Sequence, residues 1–490
     1  MKYDVLSENW IPVMRKDGST AHCGIRSLLE HAHELTGIAD PSPMREYGIY
    51  RLLCAFLMDA FRPEIEDDIK DIADSGKFDM NVIDEYVETC LREGVSFNLF
   101  DEKRPFLQCV PDPELDKELK SVFCMDFSRP SGNAHVHFDH IEGKNYISAD
   151  EAARQLCAVN VFCTAMTQGY PSTVNGAPPL FILVKGEDLF KTLINNCLPS
   201  SSFNIPYDNP AVFWKSDMIV IPKEAVAKTS VLYGMTFPCR RVRLIPEVIE
   251  GGIHIQNIFF MQGKNYVGYD AWVDPHVAYK KSDEKRTSLK PSNEKKPWRN
   301  IGTIMNQNDG QIAIRQYNSI NQKSAVRVMV FGVVTSNASY YTQIKGELCL
   351  QKDIIRSNHK MNTLINAIAF CEQCAKLLGK DLQKIWSGEK SDKGVNDKTR
   401  LIEQTVEKYY EACKTMLLGD FSARLAEADI DQAGSLKVLS DEWENTAVKT
   451  AKAYFKDAAY YFGTTGRLLM NVEKAGLLMN KDLKKLKEKG

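Results

Sequence analysis

The stretch MNTLINAIAFCEQCAKLLG, residues 361–379, decides the fold class of the C-terminal part of this 490-residue chain. Its apolar residues recur at spacings of three and four, which is the period of a helix that buries one face. Gly379 ends the run, and a glycine at that place is typical of a helix stop. The pattern therefore predicts an amphipathic helix whose buried face carries Met361, Leu364, Ile368, Cys371, Ala375 and Leu378.

Three further segments beyond this stretch have the same character. Residues 402–416 and 443–461 repeat the helical spacing, and residues 467–489 form a lysine-rich amphipathic segment. Asp441, followed by Glu444 three residues later, is a capping pair that predicts the start of the third helix. Helices that each bury one face against the others form a bundle. The sequence therefore predicts that residues 360–490 form a C-terminal four-helix bundle.

Residues 1–359 are of mixed character. The apolar runs at 181–184 and 328–331 are typical of strands, and residues 27–32 and 49–60 are typical of helices. Long loops rich in Pro, Gly, Ser and Asn separate them, and such loops are usually functional or disordered. The predicted fold class is α+β: a large mixed α/β N-terminal domain, 1–359, followed by the bundle.

Net charge differs between segments of the chain. The chain has 62 Lys and Arg against 64 Asp and Glu, a formal net charge of −2, and 44% apolar residues. This composition excludes a disordered chain and a collagen-like repeat. Residues 1–210 sum to −14, 211–359 to +9 and 360–490 to +3. A basic middle region is suited to contact with a polyanion, and an acidic first part is suited to protein partners or solvent.

The cellular compartment follows from what the sequence lacks. It contains no apolar stretch of signal-peptide or membrane-spanning length, so neither secretion nor a membrane is expected. Its 13 cysteines are odd in number and without framework spacing, which predicts thiols in a reducing cytoplasm. Neither a P-loop nor a Gly-x-Gly-x-x-Gly motif is present, so nucleotide hydrolysis and dinucleotide binding are not expected.

Two groups of residues resemble metal sites. His135 and His137 form a His-x-His pair, with Asp139 nearby, that a metal-dependent hydrolase could use, although the carboxylate that would supply the third ligand is not identified. Loop histidines that make hydrogen bonds are the preferred interpretation, and the hydrolase is kept as the alternative. Cys371 and Cys374 form a single Cys-x-x-Cys on a predicted bundle helix. Because structural zinc needs four ligands, core thiols are predicted there.

Basic residues recur through the middle of the chain, on a predicted strand at 240–243 and in a polar run at 280–299. Such residues can form a track along a nucleic-acid backbone, with weak sequence preference and strong salt dependence. A solvated loop is the alternative for the polar run. The candidate track residues are Arg240, Arg241, Lys280, Lys281, Lys285 and Arg286.

Four stretches, in order along the chain, resemble the CasA family, the large subunit of type I-E CRISPR Cascade complexes. They are YDVLSENWIPV at 3–13, SLLEHAHEL at 27–35, FNLFDEKRPFLQ at 97–108 and PCRRVRL at 238–244. The resemblance extends over essentially the whole chain, and the predicted bundle after a mixed domain also suits the family. No single motif is diagnostic, but the ordered combination is specific.

The resemblance implies an antiviral, non-enzymatic subunit with no catalytic residue, no metal and no cofactor. It would recognise the protospacer-adjacent motif of target double-stranded DNA through the minor groove and begin strand separation, while the guide RNA pairs with the target. The implied partners are the target DNA, the guide RNA ribonucleoprotein with its backbone, small and guide-end-capping subunits, and a helicase-nuclease recruited after target binding. A purely structural scaffold is the third possibility.

The family's functional elements can be placed on this sequence. A DNA-contacting loop resembles 131–138, a glycine-rich loop resembles 168–176, and the tip of a strand-separating wedge resembles 334–339. Asn337 stands at the tip where a relative carries the longer glutamine, and the glycine loop holds fewer glycines than the family can show. The implied DNA-recognition residues are Asn133, His135, Val136, His137, Phe138, Gly169, Asn175, Gly176 and Lys264, and the implied wedge residues are Ser336, Asn337 and Ala338.

Overall fold

A computed structural model describes residues 1–127, 145–165, 169–281, 286–321, 323–336, 339–386, 395–430, 434–462 and 466–488. The described chain forms two compact units. Unit 1 comprises residues 1–297, 308–322 and 327–348, and unit 2 comprises 298–307, 323–326 and 349–490. Unit 2 therefore contains the predicted 360–490 bundle together with residues that precede it in the chain.

Helices and strands alternate irregularly in unit 1, as the mixed sequence pattern predicts. Its helices are α1 (Ile25–Glu30), α2 (Pro43–Phe61), α3 (Glu66–Ser75), α4 (Met80–Arg92), α5 (Ala149–Phe162), α6 (Leu189–Asn196), α7 (Val231–Met235) and α9 (Ile312–Ile320). The long helix α2 is buried on nearly every side, including Glu46, Arg51 and Asp59. A helix buried all round needs partners for its polar groups.

The strands belong to several small sheets. One sheet has the order β2-β1-β3, with β1 (Ile11–Arg15), β2 (Thr20–Cys23) and β3 (Leu35–Ile38). A second is built on β9 (Gly252–Gln262), which pairs antiparallel with β8 (Arg240–Ile249), β4 (Leu119–Ser121) and β5 (Ile147–Ser148). Two short pairs join β7 (Ala225–Val226) to β10 (Asn265–Tyr266) and β11 (Tyr279–Lys281) to β12 (Arg286–Ser288).

The third sheet confirms the two predicted apolar strands and pairs them. Its order is β14-β13-β6, with β6 (Phe181–Val184), β13 (Ala325–Ser336) and β14 (Ser339–Gln351). Val328 lies opposite Val184 and Phe331 opposite Phe181 in antiparallel register. All of these residues are buried, so an uninterrupted apolar run is what both strands require.

In unit 2 the predicted bundle helices are all present. They are α11 (Asn358–Gln383), α12 (Val395–Met416), α14 (Ser435–Phe462) and α15 (Gly466–Lys487). The shorter α8 (Ile301–Met305), α10 (Lys352–Arg356) and α13 (Ser422–Glu427) accompany them, and a π-helical turn at Leu417–Phe421 joins α12 to α13.

Two predicted helix ends are wrong. Gly379 does not stop α11, which continues to Gln383, because its buried face extends past the glycine to Asp381 and Leu382. Asp441 is not a cap, because α14 already begins at Ser435. In both cases packing between helices outweighs a local end signal.

The predicted core thiols are confirmed. Cys371 and Cys374 lie within α11 and are buried with Cys413 of α12. Burial raises the pKa of Cys374 to about 12, so this thiol stays protonated. Within the described ranges, no group of three or more His, Cys, Asp or Glu side chains is arranged to hold a metal ion.

Candidate nucleic-acid interface

Tyr340 connects the starting points of three predicted DNA-contacting elements, namely the wedge hairpin, the DNA-contacting loop and the glycine loop. It lies two residues beyond the tip that separates β13 from β14. Its hydroxyl donates a hydrogen bond of 2.8 Å to the carbonyl oxygen of Phe162, at the end of α5 just before the glycine loop. Its ring stacks on Phe127, with centroids 5.3 Å apart and planes 3° apart, and Phe127 leads into residues 128–144. The hairpin and both loops therefore start from adjacent points.

Burial fixes the chemical form of this tyrosine. Desolvation raises the pKa of Tyr340 far above neutrality, so its hydroxyl remains a hydrogen-bond donor. The hairpin predicted to carry the wedge is present, since β13 ends at Ser336 and its neighbouring strand β14 begins at Ser339. Asn337 and Ala338 themselves lie outside the described residues.

The hairpin is also tied to the central helix. The Lys345 ammonium on β14 lies 2.5 Å from a carboxylate oxygen of Glu46 on α2. Glu46 is only 2% exposed. Burial raises the pKa of Glu46 to about 7, and contact with Lys345 opposes that rise. This ion pair therefore depends on pH near neutrality.

The described part of the glycine loop ends in a tight turn. The Gly176 amide donates to the carbonyl of Thr173 at 2.9 Å, and the hydroxyls of Ser172 and Thr173 donate to the carbonyl of Gly176 at 2.6 and 2.7 Å. Gly176 has a φ of +71°, a left-handed conformation that favours glycine. The loop is thus held by its own polar side chains.

Asn175 fastens this turn to the core of unit 1. Its side-chain nitrogen donates to Asp274 at 2.7 Å, and its side-chain oxygen accepts from the Trp272 indole at 2.8 Å. Asp274 is fully buried and pairs with Arg51 of α2 at 2.9 Å. Burial opposes ionisation of Asp274, but Arg51 prevails and holds the pKa of Asp274 below its usual value. The Asn175 amide is therefore engaged inside the protein, where it positions the loop.

Arg240 and Arg241 do not form part of a solvent-facing basic track. Both are buried, at 2% and 1% exposure. Arg240 donates to the carbonyl of Thr164 at 2.7 Å and to the carbonyl of Pro171 at 2.6 Å. Thr164 precedes the glycine loop, and Pro171 lies within it. Arg241 turns to the opposite face of β8 and pairs with Asp116 at 2.9 Å. The predicted role is therefore wrong for both, because burial leaves neither guanidinium free for phosphate.

The remaining track residues are divided. Arg286 donates to the carbonyl of Trp272 at 2.8 Å and lies over the Tyr279 ring at 4.8 Å, so its guanidinium is also occupied by the protein. Lys280 is exposed on β11. Lys281 ends β11, and Lys285 lies outside the described residues. A continuous track is not formed by the described members of this set.

Lys264 is not a free cation. Its side chain is 14% exposed, and its ammonium lies 3.3 Å from the Glu224 carboxylate. Gly263 precedes it, and a Cβ there would meet backbone atoms of Pro238 and Cys239 at 2.3 Å, so the chain is held tightly at this point.

Asn133, His135, Val136, His137 and Phe138 lie outside the described residues, as does Asp139 of the hydrolase alternative. Both interpretations of the histidine cluster therefore stay predictions. Sequence inspection missed Tyr340 and the buried roles of Arg240 and Asn175, because nothing in one sequence marks a tyrosine or arginine as the support of a loop.

No helix in the described part of the chain is long and apolar enough to cross a membrane.

Comparison with known proteins identifies the family. A family model described as CRISPR-associated protein Cse1 matches residues 4–454, so the chain belongs to the Cse1 family. The CasA resemblance inferred from the sequence is thereby confirmed. A curated relative, CRISPR-associated protein CasA/Cse1 of Thermus thermophilus, is 29% identical over 334 residues. The aligned region spans 64% of this chain and 62% of that relative, less than two thirds of its length.

Solved structures share the fold over the full chain. Cse1 from Acidimicrobium ferrooxidans superposes with a TM-score of 0.79 and 18% identity, covering 100% of this chain and 99% of that one. A chain of a structure described as a CRISPR RNA-guided surveillance complex has a TM-score of 0.77 and 16% identity, covering 98% and 99%. The predicted mixed fold with a C-terminal helical region is confirmed by these similarities.

Proposed function

We propose that this chain is the large subunit of a type I-E CRISPR Cascade complex. In this role it recognises the protospacer-adjacent motif of target double-stranded DNA through the minor groove and starts strand separation for guide RNA pairing. The observation that carries the proposal is the junction at Tyr340, where the hairpin and two loops start from adjacent points in a chain of the Cse1 family.

The physical reason is that a groove reader and a wedge must act on neighbouring base pairs. The minor groove offers mainly acceptors and a width, so short polar side chains and backbone amides on close-fitting loops are suitable tools. Unstacking a base step costs a few kcal/mol, and contacts made by the loops must offset that cost as the hairpin tip enters. A shared support at Tyr340 would couple the two events. Asn337 is the proposed tip, flanked by Ser336 and Ala338.

The partners are part of the same proposal. They are the target duplex, the guide RNA ribonucleoprotein with its other Cascade subunits, and a helicase-nuclease recruited after target binding, all in the cytoplasm. The chain has no catalytic step to perform in this scheme, because strand exchange is driven by pairing and by protein contacts.

The test compares the guide RNA complex assembled with and without this chain. Binding of a labelled duplex should depend on the flanking motif only when the chain is present, because the guide reads the target but not the motif. Unchanged motif dependence without the chain would overturn the proposal. Metal analysis of the same preparation tests the hydrolase alternative: a stoichiometric transition metal that is lost when His135 and His137 are both replaced would favour it.

A further inference from the structure

Lys223 is an exposed lysine beside the glycine loop, on a backbone that hydrogen bonds hold in place. It has a left-handed backbone, with φ of +62°, which is uncommon for a lysine. Its amide donates to the carbonyl of Gly263 at 2.8 Å, and the carbonyl of the following Glu224 accepts from the Asn265 amide at 2.7 Å. These bonds on both sides fix the direction in which the Lys223 side chain leaves the backbone.

That side chain lies directly over Gly169. A Cβ added to Gly169 would come within 2.9 Å of the Lys223 ammonium nitrogen and 3.1 Å of its Cε. Gly169 also has a left-handed φ of +73°. This glycine therefore serves two purposes, since it permits the turn of the loop and leaves room for the lysine.

Lys223 also differs from Lys264 in its charge environment. Among the described residues, no carboxylate forms an ion pair with Lys223, whereas Lys264 is largely buried and paired with Glu224. A cation that is already neutralised by a neighbouring carboxylate releases few counterions when it meets DNA, and an exposed, unpaired cation releases them fully.

We propose that Lys223, seated over Gly169, contacts a backbone phosphate of the duplex at the glycine loop. This inference rests on the proposed function and assigns it a phosphate contact that the sequence did not single out. The contact positions the duplex against the loop and carries no base information, since phosphates are the same in every sequence.

The test measures duplex affinity of the assembled complex as a function of salt concentration for Lys223→Gln. The matched control is Lys228→Gln, which removes the same charge from another exposed lysine in the same segment. We expect Lys223→Gln to lower the salt slope by about one and the affinity by roughly fivefold at about 0.15 M salt, equally for all motif sequences. Lys223→Arg, which keeps the charge, should retain most of the affinity.

Two outcomes would overturn the inference: an unchanged salt slope in Lys223→Gln, or equal losses in Lys223→Gln and Lys228→Gln. Gly169→Ala tests the placement of Lys223 over Gly169. If the added methyl group displaces the lysine, the affinity losses of Gly169→Ala and Lys223→Gln are less than additive in the double variant. Fully additive losses would refute that placement. The complex assembled without the chain is the reference. If omitting the chain changes nothing, the proposed function itself fails, whereas a normal reference with an inert Lys223 refutes only this contact.

Discussion

Replacement of Arg240 by methionine tests whether a buried guanidinium holds the glycine loop in place. Methionine keeps much of the apolar stem but removes the donors to Thr164 and Pro171. Each buried carbonyl left without a partner costs about 1–3 kcal/mol. Part of that cost is offset, because the variant no longer buries a charged group. We therefore expect the loop's closed conformation to lose about 2 kcal/mol, a shift of roughly 30-fold in its opening equilibrium.

Hydrogen exchange of the 163–176 segment in the full-length protein is the assay. Amides there should exchange roughly 30-fold faster in Arg240→Met, while amides of the buried β6 and β13 strands keep their protection. In the assembled complex, the same variant should weaken motif-dependent DNA binding, because a loose loop must be ordered on binding.

Arg241→Met is the matched control, because it removes the neighbouring buried arginine on the opposite face of β8. It removes one of the two arginines that pair with Asp116, and Arg243 remains 3.4 Å from the other carboxylate oxygen, so the variant should destabilise unit 1 around Asp116. Its effect should not be centred on the loop. Equal exchange rates in the 163–176 segment for Arg240→Met and the wild type would refute the positioning role, as would equal acceleration by both variants.

The other predictions concern the wedge, the paired lysine and the pH response. Asn337→Ala and Tyr340→Phe should each weaken binding of an intact duplex more than binding of a target with a pre-opened bubble, and equal losses on the two substrates would count against the wedge. Lys264→Ala should lower duplex affinity and reduce the salt slope by less than one, because Glu224 already neutralises Lys264. Glu224→Gln should raise the duplex affinity and steepen the salt slope. Because burial raises the pKa of Glu46 to about 7, the native state binds its proton more tightly than the unfolded chain does, and the stability contributed by this group falls as pH rises from about 4.5 to about 7. Glu46→Gln has no carboxyl to titrate, so its stability does not fall in this way. Between about pH 5 and about pH 8, its free energy of unfolding should rise relative to the wild type by up to about 3 kcal/mol, as measured by denaturation. A difference that stays constant with pH would refute the raised pKa of Glu46.

Long periodic segments were predictable because their signal is repeated many times within one element. The helices α11, α12, α14 and α15 and the strands β6 and β13 all lie where the spacing of apolar residues predicts them. Helix ends were less predictable, as Gly379 and Asp441 show, because a single residue carries the local signal and packing along the whole helix can outweigh it.

The glycine loop illustrates how far a family resemblance reaches. It pointed to Gly169, Asn175 and Gly176 as one functional segment. The structure places Asn175 and Gly176 in one turn with its support, whereas Gly169 lies against Lys223. The resemblance did not reveal that the Asn175 amide is bound to Asp274, nearly one hundred residues further along the chain. A contact between such distant positions leaves no trace in one sequence.

The sequence by itself determined the helical bundle, the buried strands and the segmental charge, because periodicity and composition are local properties of the chain. Tertiary structure decided what the basic residues do. Arg240 and Arg241 are adjacent in a basic run, yet strand alternation sends them into opposite faces of β8, where one supports a loop and the other neutralises Asp116. Lys223, in a segment without any motif, lies exposed beside the glycine loop. The physical reason is that a charge acts through its burial and its neighbours, and only the folded chain sets these.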